Sequence, residues 1–229
     1  MPVDPRSLFW AVATIGLYLL SRAVHRRHPR WWTAPLLLTL AMCFTLAAAL
    51  HASYGEYLGG TRWLLAMLGP ATVAFALPIY RHRLLIRRHW PVLLAGVGTG
   101  SAIAFASSWA LARLFGLSAD LQLSLLPRSV TTPFALEFVH MVGGIPELTA
   151  ASVVITGLLG AFLGEVLLVS LPIRSAMARG TLFGMGAHAI GTAKARQVGA
   201  IEGSVAGLTM VLAGLLSVLV APLLALLVS

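Results

Sequence analysis

The sequence is poor in charge and in cysteine, and each shortage excludes a class of protein. Charged residues make up 10% of the 229 residues and hydrophobic residues 59%, whereas about a quarter of a typical soluble domain is charged. A soluble globular fold is therefore excluded, and the mean hydropathy of +0.90 indicates an integral membrane protein. The single cysteine, Cys43, lies in an apolar segment, which excludes a disulfide framework and a cysteine-based metal site.

The sequence also lacks the common catalytic motifs. It has no Gly-x-Ser-x-Gly nucleophile elbow, no phosphate-binding loop and no zinc-ligand spacing, and His188 has no neighbouring carboxylate. We therefore expect that the chain is not an enzyme and that it holds neither a cofactor nor a metal ion.

The net charge of +9 comes from basic residues that cluster between apolar segments. Short basic loops are typical of the cytoplasmic side of membrane proteins, and they also favour contact with anionic lipid head groups. We therefore expect the lipid bilayer, and not nucleic acid, as the partner of these charges. The two clusters are Arg22, His25, Arg26, Arg27, His28 and Arg30, and Arg81, His82, Arg83, Arg87, Arg88 and His89.

The apolar residues form about eight blocks of helical length, which excludes the alternating ten-residue strands of a membrane barrel. The loops between the blocks are short, so residues 1–229 are expected to form a single integral membrane domain. The predicted fold is all-α, a polytopic inner-membrane helical bundle with broken or re-entrant helices. The blocks are residues 8–24, 34–50, 63–80, 91–115, 125–142, 148–171, 180–195 and 203–228.

Three of these blocks contain helix-breaking residues. They are Gly69 and Pro70 in the third, Pro133 in the fifth, and Gly186 and Gly191 in the seventh. In hydrocarbon, the freed backbone groups are tolerated only where they are buried in protein or face water. The three breaks are therefore expected to face one shared central cavity.

The two halves of the chain resemble each other in the order of their segments. Residues 1–115 and 121–229 each contain two spans, a broken segment and a span, and residues 72–77 align with residues 131–136. Interrupted helices at corresponding positions of two repeats indicate a transporter site at the repeat interface. Block 125–142 either crosses the membrane or re-enters on one side. The positive-inside rule favours re-entry, since this places the loop with Arg174 and Arg179 beside the two basic clusters.

Several motifs, taken in order, resemble those of the LrgB/CidB family of bacterial membrane proteins. They cover nearly everything after residue 50: Gly-Pro-Ala-Thr at 69–72, Leu-Pro-Arg-Ser-Val-Thr-Thr-Pro at 126–133, Gly-Gly-Ile-Pro at 143–146 and His-Ala-Ile-Gly-Thr-Ala at 188–193. The resemblance implies a location in the bacterial inner (cytoplasmic) membrane. It also implies one of two functions. One is transport of small monocarboxylates such as pyruvate, glycolate, glycerate or lactate. The alternative is an antiholin-like protein that acts with a holin-like LrgA/CidA partner on murein hydrolase export and cell lysis.

A small carboxylate needs hydrogen-bond donors and positive potential, which helix N-termini at broken segments supply. The residues of the three breaks therefore become candidates for binding substrate, and either Arg179 or Lys194 could balance its charge. Glu137 and His188 are candidates for carrying a coupled proton, because a buried carboxyl and an imidazole can both titrate near neutral pH. The substrate-binding candidates are Thr72, Ser129, Thr131, Thr132, Arg179, His188, Gly191 and Thr192.

Most of these residues also have a structural alternative. Thr192 could bond the backbone one turn back, Thr131 and Thr132 could satisfy carbonyls freed by the break, and Lys194 could reach the membrane interface. Glu202 is expected to cap a helix N-terminus, and Glu165 to face a loop or a partner. Rows of small residues, such as Gly160 with Gly164, indicate close helix packing or a homo-oligomer interface.

Overall fold

The computed structural model describes residues 5–28, 33–67, 70, 73–74 and 76–228, and the regular secondary structure within these ranges is helical throughout. This confirms the all-α prediction. Gly69 and Thr72, predicted as a break and a binding residue, lie outside the described residues. Among the described residues, four helices are long and apolar enough to cross a membrane. They are Pro5–Arg27, Arg83–Leu114, Pro146–Ser170 and the Ala200–Leu226 part of the last helix.

The chain divides into two compact units, Met1–Pro70 and Ala71–Ser229. In the first unit, the polar side chains of α1 bond to both of its neighbours. Ser21 Oγ lies 2.7 Å from Thr39 Oγ1 of α2, and Thr14 Oγ1 donates to the Tyr57 hydroxyl of α3 over 3.4 Å. The helices of this unit are α1 (Pro5–Arg27), α2 (Pro35–Ala49) and α3 (Tyr54–Ala66).

The second unit contains both of the broken segments that the structure describes. Along the chain, several shorter helices lie between its two longest apolar helices. One short 3₁₀ helix, η1, interrupts the predicted block 125–142. Whether residues 1–115 and 121–229 are structural repeats stays a prediction. The helices are α4 (Ala76–Arg81), α5 (Arg83–Leu114), α6 (Ala119–Leu125), η1 (Leu126–Ser129), α7 (Thr132–Val142), α8 (Pro146–Ser170), α9 (Ala176–Val198) and α10 (Ala200–Val228).

Helix α9 is a hairpin of two arms, residues 176–187 and 189–198. The backbone leaves helical geometry at His188, where φ is +39° and ψ is −119°. Gly191 of the second arm lies directly against the carbonyl oxygen of Phe183 in the first arm. A straight helix would separate these two residues by about 12 Å. The chain therefore reverses direction between them.

The contacts between α9 and α10 show the same reversal. Along the first arm, contacts with α10 advance toward the C-terminus of α10, and along the second arm they run back. Both ends of α9 consequently lie at the same end of the unit. The contacts are Gly180 with Val205, Gly184 with Thr209, Thr192 with Gly207 and Arg196 with Gly203.

A second hairpin consists of α6 and η1, which form one arm, and α7, which forms the other. The chain turns through extended backbone at Val130 and Thr131. The open end of this hairpin is held at Ser124, whose Oγ accepts the Ile145 N–H over 2.7 Å and whose carbonyl accepts the Thr149 hydroxyl over 2.9 Å. At 11 residues, α7 is about 16 Å long, half of a hydrocarbon core of about 30 Å. Since a helix of this length is too short to cross alone, we expect block 125–142 to re-enter rather than cross.

The two hairpins enter the unit from opposite ends. The open end of the α6–α7 hairpin lies at the start of α8, beside Thr149. The first arm of α9 passes Gly164 near the end of α8, and the tip of this hairpin reaches Gly157 near the middle of α8. The tip of the α9 hairpin thus reaches the middle of α8, and Val130 at the tip of the α6–α7 hairpin packs with Val153 of the same helix.

Basic residues collect at the end of the unit where the α9 hairpin opens, which we call the basic end. The first turns of α5 lie there, because Gly96 and Gly100 of α5 lie level with Thr181 and Met185 of the first arm of α9. By the positive-inside rule, the basic end is expected to face the cytoplasm. Its basic side chains include Arg81, Arg83, Arg87, Arg88, Arg174, Arg179, Lys194 and Arg196, whereas Asp120 and Glu147 lie at the opposite end.

A row of glycines on α8 allows the α9 hairpin to approach closely. A Cβ atom on Gly157 would lie 2.5 Å from the His188 ring, and one on Gly164 would lie 2.7 Å from the Phe183 ring. A Cβ atom on Gly160 would overlap the carbonyl oxygen of Gly186. Small residues at this spacing permit the close helix packing predicted from sequence.

We expect Gly160→Ala to destabilise the second unit, because its methyl group collides with backbone that cannot rotate away. The expected loss is about 1–3 kcal/mol, the usual cost of overpacking. Gly98→Ala on α5 is the matched control, since nothing lies within 4 Å of a Cβ there. Thermal unfolding of the purified protein in detergent should separate the two variants, and equal midpoints would contradict the packing of α8 against α9.

We expect the two ends of the second unit to be labelled from opposite sides of the membrane. Ser175→Cys at the basic end and Ser118→Cys at the opposite end are both exposed positions, and Cys43→Ala removes the native thiol. In intact cells, a membrane-impermeant maleimide should label position 118 and spare position 175. Labelling of both, or the reverse pattern, would contradict the assignment.

Candidate functional site

The tips of the two hairpins meet in the middle of the second unit. Val130, at the tip of the α6–α7 hairpin, packs in one buried cluster with Val153 of α8 and Met210 of α10. The same two side chains flank the tip of the α9 hairpin, because His188 lies beside the backbone of Val153 and Thr192 lies beside Met210. Of the three breaks predicted from sequence, the two that the structure describes are thus brought together.

His188 occupies the turn of the α9 hairpin, between the two glycines predicted as break positions. Its side chain is 3% exposed, and Nε2 has no hydrogen-bond partner within the described part of the chain. Its positive φ is unusual for a residue with a Cβ atom, and such strained backbone persists where the surroundings enforce it, often at functional sites. The imidazole therefore offers one unused nitrogen at the tip.

The hydroxyl group of Thr192 has a structural role at this tip. It donates to the carbonyl of His188 over 2.9 Å and lies 3.8 Å from the sulfur of Met210. This bond to the backbone of the preceding turn is the structural alternative that we gave for Thr192 from the sequence. The bond satisfies a carbonyl that the reversal frees, and the oxygen of Thr192 keeps the capacity to accept a hydrogen bond.

The tip of the α6–α7 hairpin presents the N-terminus of α7. Thr131 is the N-cap residue, is 4% exposed, and makes no side-chain capping bond, so its hydroxyl does not satisfy the first turn of α7. Its carbonyl accepts the N–H groups of Phe134 and Ala135. Thr132 and Ser129 beside it are half-buried. Three hydroxyl groups are therefore concentrated at this tip, whereas Pro133 has no N–H and the N–H groups of Phe134 and Ala135 are already bonded.

The arrangement directs two helix N-termini at the centre of the unit. Both α7 and the second arm of α9 begin at a hairpin tip, and they point away from the centre toward opposite ends. The N-terminus of a helix carries partial positive charge and unpaired N–H groups, and together these favour a small anion. The potential at the hairpin tips therefore favours a small anion without requiring a full positive charge.

Two predicted residues lie away from the tips. Arg179 is in the first turn of α9 at the basic end, where its Nε donates to the Ile173 carbonyl over 2.8 Å. Glu137 lies on the outer face of α7 and is exposed. Pro70, the described part of the first predicted break, is the last residue of the first unit.

Two carboxylates lie near the open end of the α9 hairpin. Lys194 of the second arm forms an ion pair with Glu165 of α8. Glu165 was expected to face a loop or a partner, and it instead binds the lysine. Glu202 lies in the first turn of α10 with its carboxylate against Gly199, as expected of a residue at a helix N-terminus.

Arg128 is a residue of this region that the sequence analysis did not select. It lies on η1, directly before the tip of the α6–α7 hairpin, and its Nε donates to Ser108 Oγ of α5 over 2.7 Å. A signal was present in the sequence, because an arginine stands between two break residues, Pro127 and Pro133. Charged residues within apolar segments often mark substrate pathways.

The hollows detected on the described surface lie away from the tips. One of about 490 Å³ is lined by Met141 of α7 and by Pro222, Ala225 and Leu226 of α10. Another of about 380 Å³ lies on α8 around Phe162 and Glu165. The tips themselves are closely packed around Val153 and Met210, so the predicted central cavity stays a prediction.

Comparison with known proteins adds a sequence relationship to this geometry. Residues 14–227 match the model of the LrgB-like family. The chain is 37% identical to the uncharacterized protein YwbG of Bacillus subtilis strain 168, over 92% of this chain and 94% of that protein. It is 31% identical to the holin-like protein CidB of Staphylococcus aureus strain Mu50, over 97% of each chain. No solved structure matches the chain.

We expect glycine to be better tolerated than alanine at position 188. Both variants lose the imidazole, but only glycine adopts a positive φ without strain, which should favour His188→Gly by about 1 kcal/mol. His140 is the matched control, since it is exposed within regular helix α7. There His140→Gly should be less stable than His140→Ala by about 1 kcal/mol. Thermal unfolding of the four variants measures both differences, and the same order at both positions would contradict the reversal at His188.

Proposed function

We propose that this chain, which belongs to the LrgB-like family, carries small monocarboxylates across the membrane. The substrates are small 2-oxo or 2-hydroxy acids of the pyruvate, glycolate, glycerate or lactate type. The binding site is the region between the two hairpin tips, and transport is coupled to protons.

The observation that carries the proposal is the meeting of the hairpin tips. Re-entrant hairpins that enter from opposite ends and meet near the bilayer midplane are typical of carriers, because the site can then open to either side in turn. The N-termini of α7 and of the second arm of α9 favour a small anion at the point where they meet. A structural scaffold alone would not need interrupted helices at this depth, since continuous helices satisfy their backbone at lower cost.

The side chains at the tips match the chemistry of a 2-oxo or 2-hydroxy acid. The hydroxyls of Thr131 and Thr132 are close to the N-terminus of α7, where a carboxylate would bind. At the tip of the α9 hairpin, the unpaired Nε2 of His188 lies against Gly157 of α8. Because Glu137 is exposed on the outer face of α7, His188 is the better placed of the two proton-carrying candidates.

A second candidate function follows from the printed name of a relative. The holin-like protein CidB is 31% identical to this chain over 97% of its length. In this alternative the chain is antiholin-like and acts with a separately encoded, holin-like LrgA/CidA partner to modulate murein hydrolase export and cell lysis. A homo-oligomer is compatible with either function. The two candidates differ in what the purified chain does alone.

Uptake into proteoliposomes that contain only this chain tests the proposal. We expect saturable accumulation of labelled pyruvate, glycolate, glycerate or lactate, increased by an inward proton gradient. Both His188→Ala and Thr132→Ala should reduce uptake at least about tenfold, within the range that one positioned donor or proton carrier contributes. Thr99→Ala is the matched control, since that exposed hydroxyl bonds only its own helix, over 2.6 Å to the Ala95 carbonyl.

Three outcomes would overturn parts of the proposal. Absence of wild-type uptake for all four acids would overturn the autonomous carrier, and activity restored only by co-reconstitution with a holin-like partner would favour the second candidate. Accumulation that does not respond to the proton gradient would overturn the coupling. Equal loss in the Thr99→Ala control would show that the threonine effect is not specific to the tips.

A further inference from the structure

Arg128 lies among the helices of the second unit, where a half-buried positive charge is costly. It is on η1, which follows the α6 arm into the unit and ends at the tip residues Val130 and Thr131. Its neighbour Pro127 is buried, and Arg128 itself is half-buried. Ionisable side chains in such surroundings are rare, and they mostly face an interior path or a partner charge.

The position of the guanidinium group is fixed by α5. Its Nε donates to Ser108 Oγ over 2.7 Å, and Ser108 is 4% exposed. This bond uses the single N–H of Nε and leaves the two terminal nitrogens with their four N–H donors. A guanidinium held in this way presents its terminal nitrogens in a defined direction.

Arg128 also lacks a protein counter-charge. Across the ranges that the structure describes, ion pairs join Arg6 with Glu56 and Lys194 with Glu165, and no carboxylate pairs with Arg128. The other cations predicted for substrate binding are engaged elsewhere, because Arg179 bonds the Ile173 carbonyl at the basic end. A partly desolvated cation without a partner favours an anion that arrives from outside the chain.

We propose that Arg128 binds the carboxylate of the substrate through its two terminal nitrogens, and that Ser108 positions it. The planar guanidinium matches a planar carboxylate with two parallel hydrogen bonds, a geometry that lysine cannot reproduce. The substrate class is therefore a singly charged carboxylic acid, and the corresponding amide or ester is excluded. This inference rests on the proposed carrier function and names the residue that recognises the charged group.

The test measures binding separately from transport. Isothermal titration with L-lactate and with lactamide reports binding by the purified chain, and proteoliposome uptake of lactate reports transport. Wild type should bind lactate and show no binding of lactamide. Arg128→Gln should raise the dissociation constant and the KM for lactate at least about 30-fold, the loss expected for a charged bidentate pair. Arg128→Lys, which keeps the charge, should raise both about tenfold.

Two further variants separate recognition from general electrostatics. Arg113→Gln removes an exposed arginine that stacks on Trp109 at the same end of α5, and it should leave both constants unchanged. Ser108→Ala frees the guanidinium without removing it, and it should raise KM several-fold with little effect on kcat. Unfolding midpoints of all variants identify any that fail to fold, and Arg128→Lys remains informative if Arg128→Gln does not fold.

The outcomes separate this inference from the proposed function. Wild type that binds lactate without transporting it, with binding lost in Arg128→Gln, would refute the carrier and uphold the role of Arg128. Transport by wild type with unchanged constants in Arg128→Gln or Arg128→Lys would overturn the role of Arg128 and leave the carrier intact. Wild type that neither binds nor transports any of the four acids would overturn both.

Discussion

The close approach of α9 to α8 and α10 is the constraint on which the second unit depends. A helix that stops in the middle of a membrane leaves backbone groups that lipid cannot satisfy, so it must be enclosed by protein. Gly157, Gly160 and Gly164 permit this enclosure on the α8 side, and small residues on both α9 and α10 permit it on the other. Without this packing, the reversal at His188 would expose its free carbonyls to hydrocarbon.

Enclosing the tips in protein also places their polar groups where few other polar groups surround them. The interior around Val153, Met210 and Phe134 is apolar, and the electrostatic influence of helix termini and of a single guanidinium is stronger there than in water. In the site that we propose, two helix N-termini and one arginine supply the positive potential, and the negative charge of the substrate would balance it.

Much of this architecture could be predicted from the sequence. The glycines and prolines that break helices stand out against long apolar blocks, and the basic residues at Arg81, Arg83, Arg174 and Arg179 indicate which loops share a side. The reversal at His188 could not be predicted, because glycine is the usual residue at positive φ and two glycines flank this histidine. The ion pair of Lys194 with Glu165 was also missed, because it joins helices whose relative register depends on packing.

Arg128 illustrates a different limit of sequence reasoning. An arginine beside a proline can mark the end of a membrane segment or a buried turn, and only the packing of η1 decides between them. That packing is seen in the bond of Arg128 to Ser108 of α5 and in the bonds that join Ser124 to Ile145 and Thr149. The hydrophobicity pattern of the sequence does not distinguish these two interpretations, since a segment end and a buried turn have the same local composition.

The half-length of α7 has a consequence for how the protein is made. Its arm is too short to be inserted stably as an independent span, and its buried face packs against α8 and α10, which the ribosome synthesises later. The α6–α7 hairpin therefore cannot complete its packing until those helices have been synthesised. Folding of this unit is thus finished only after its C-terminal helix has been made.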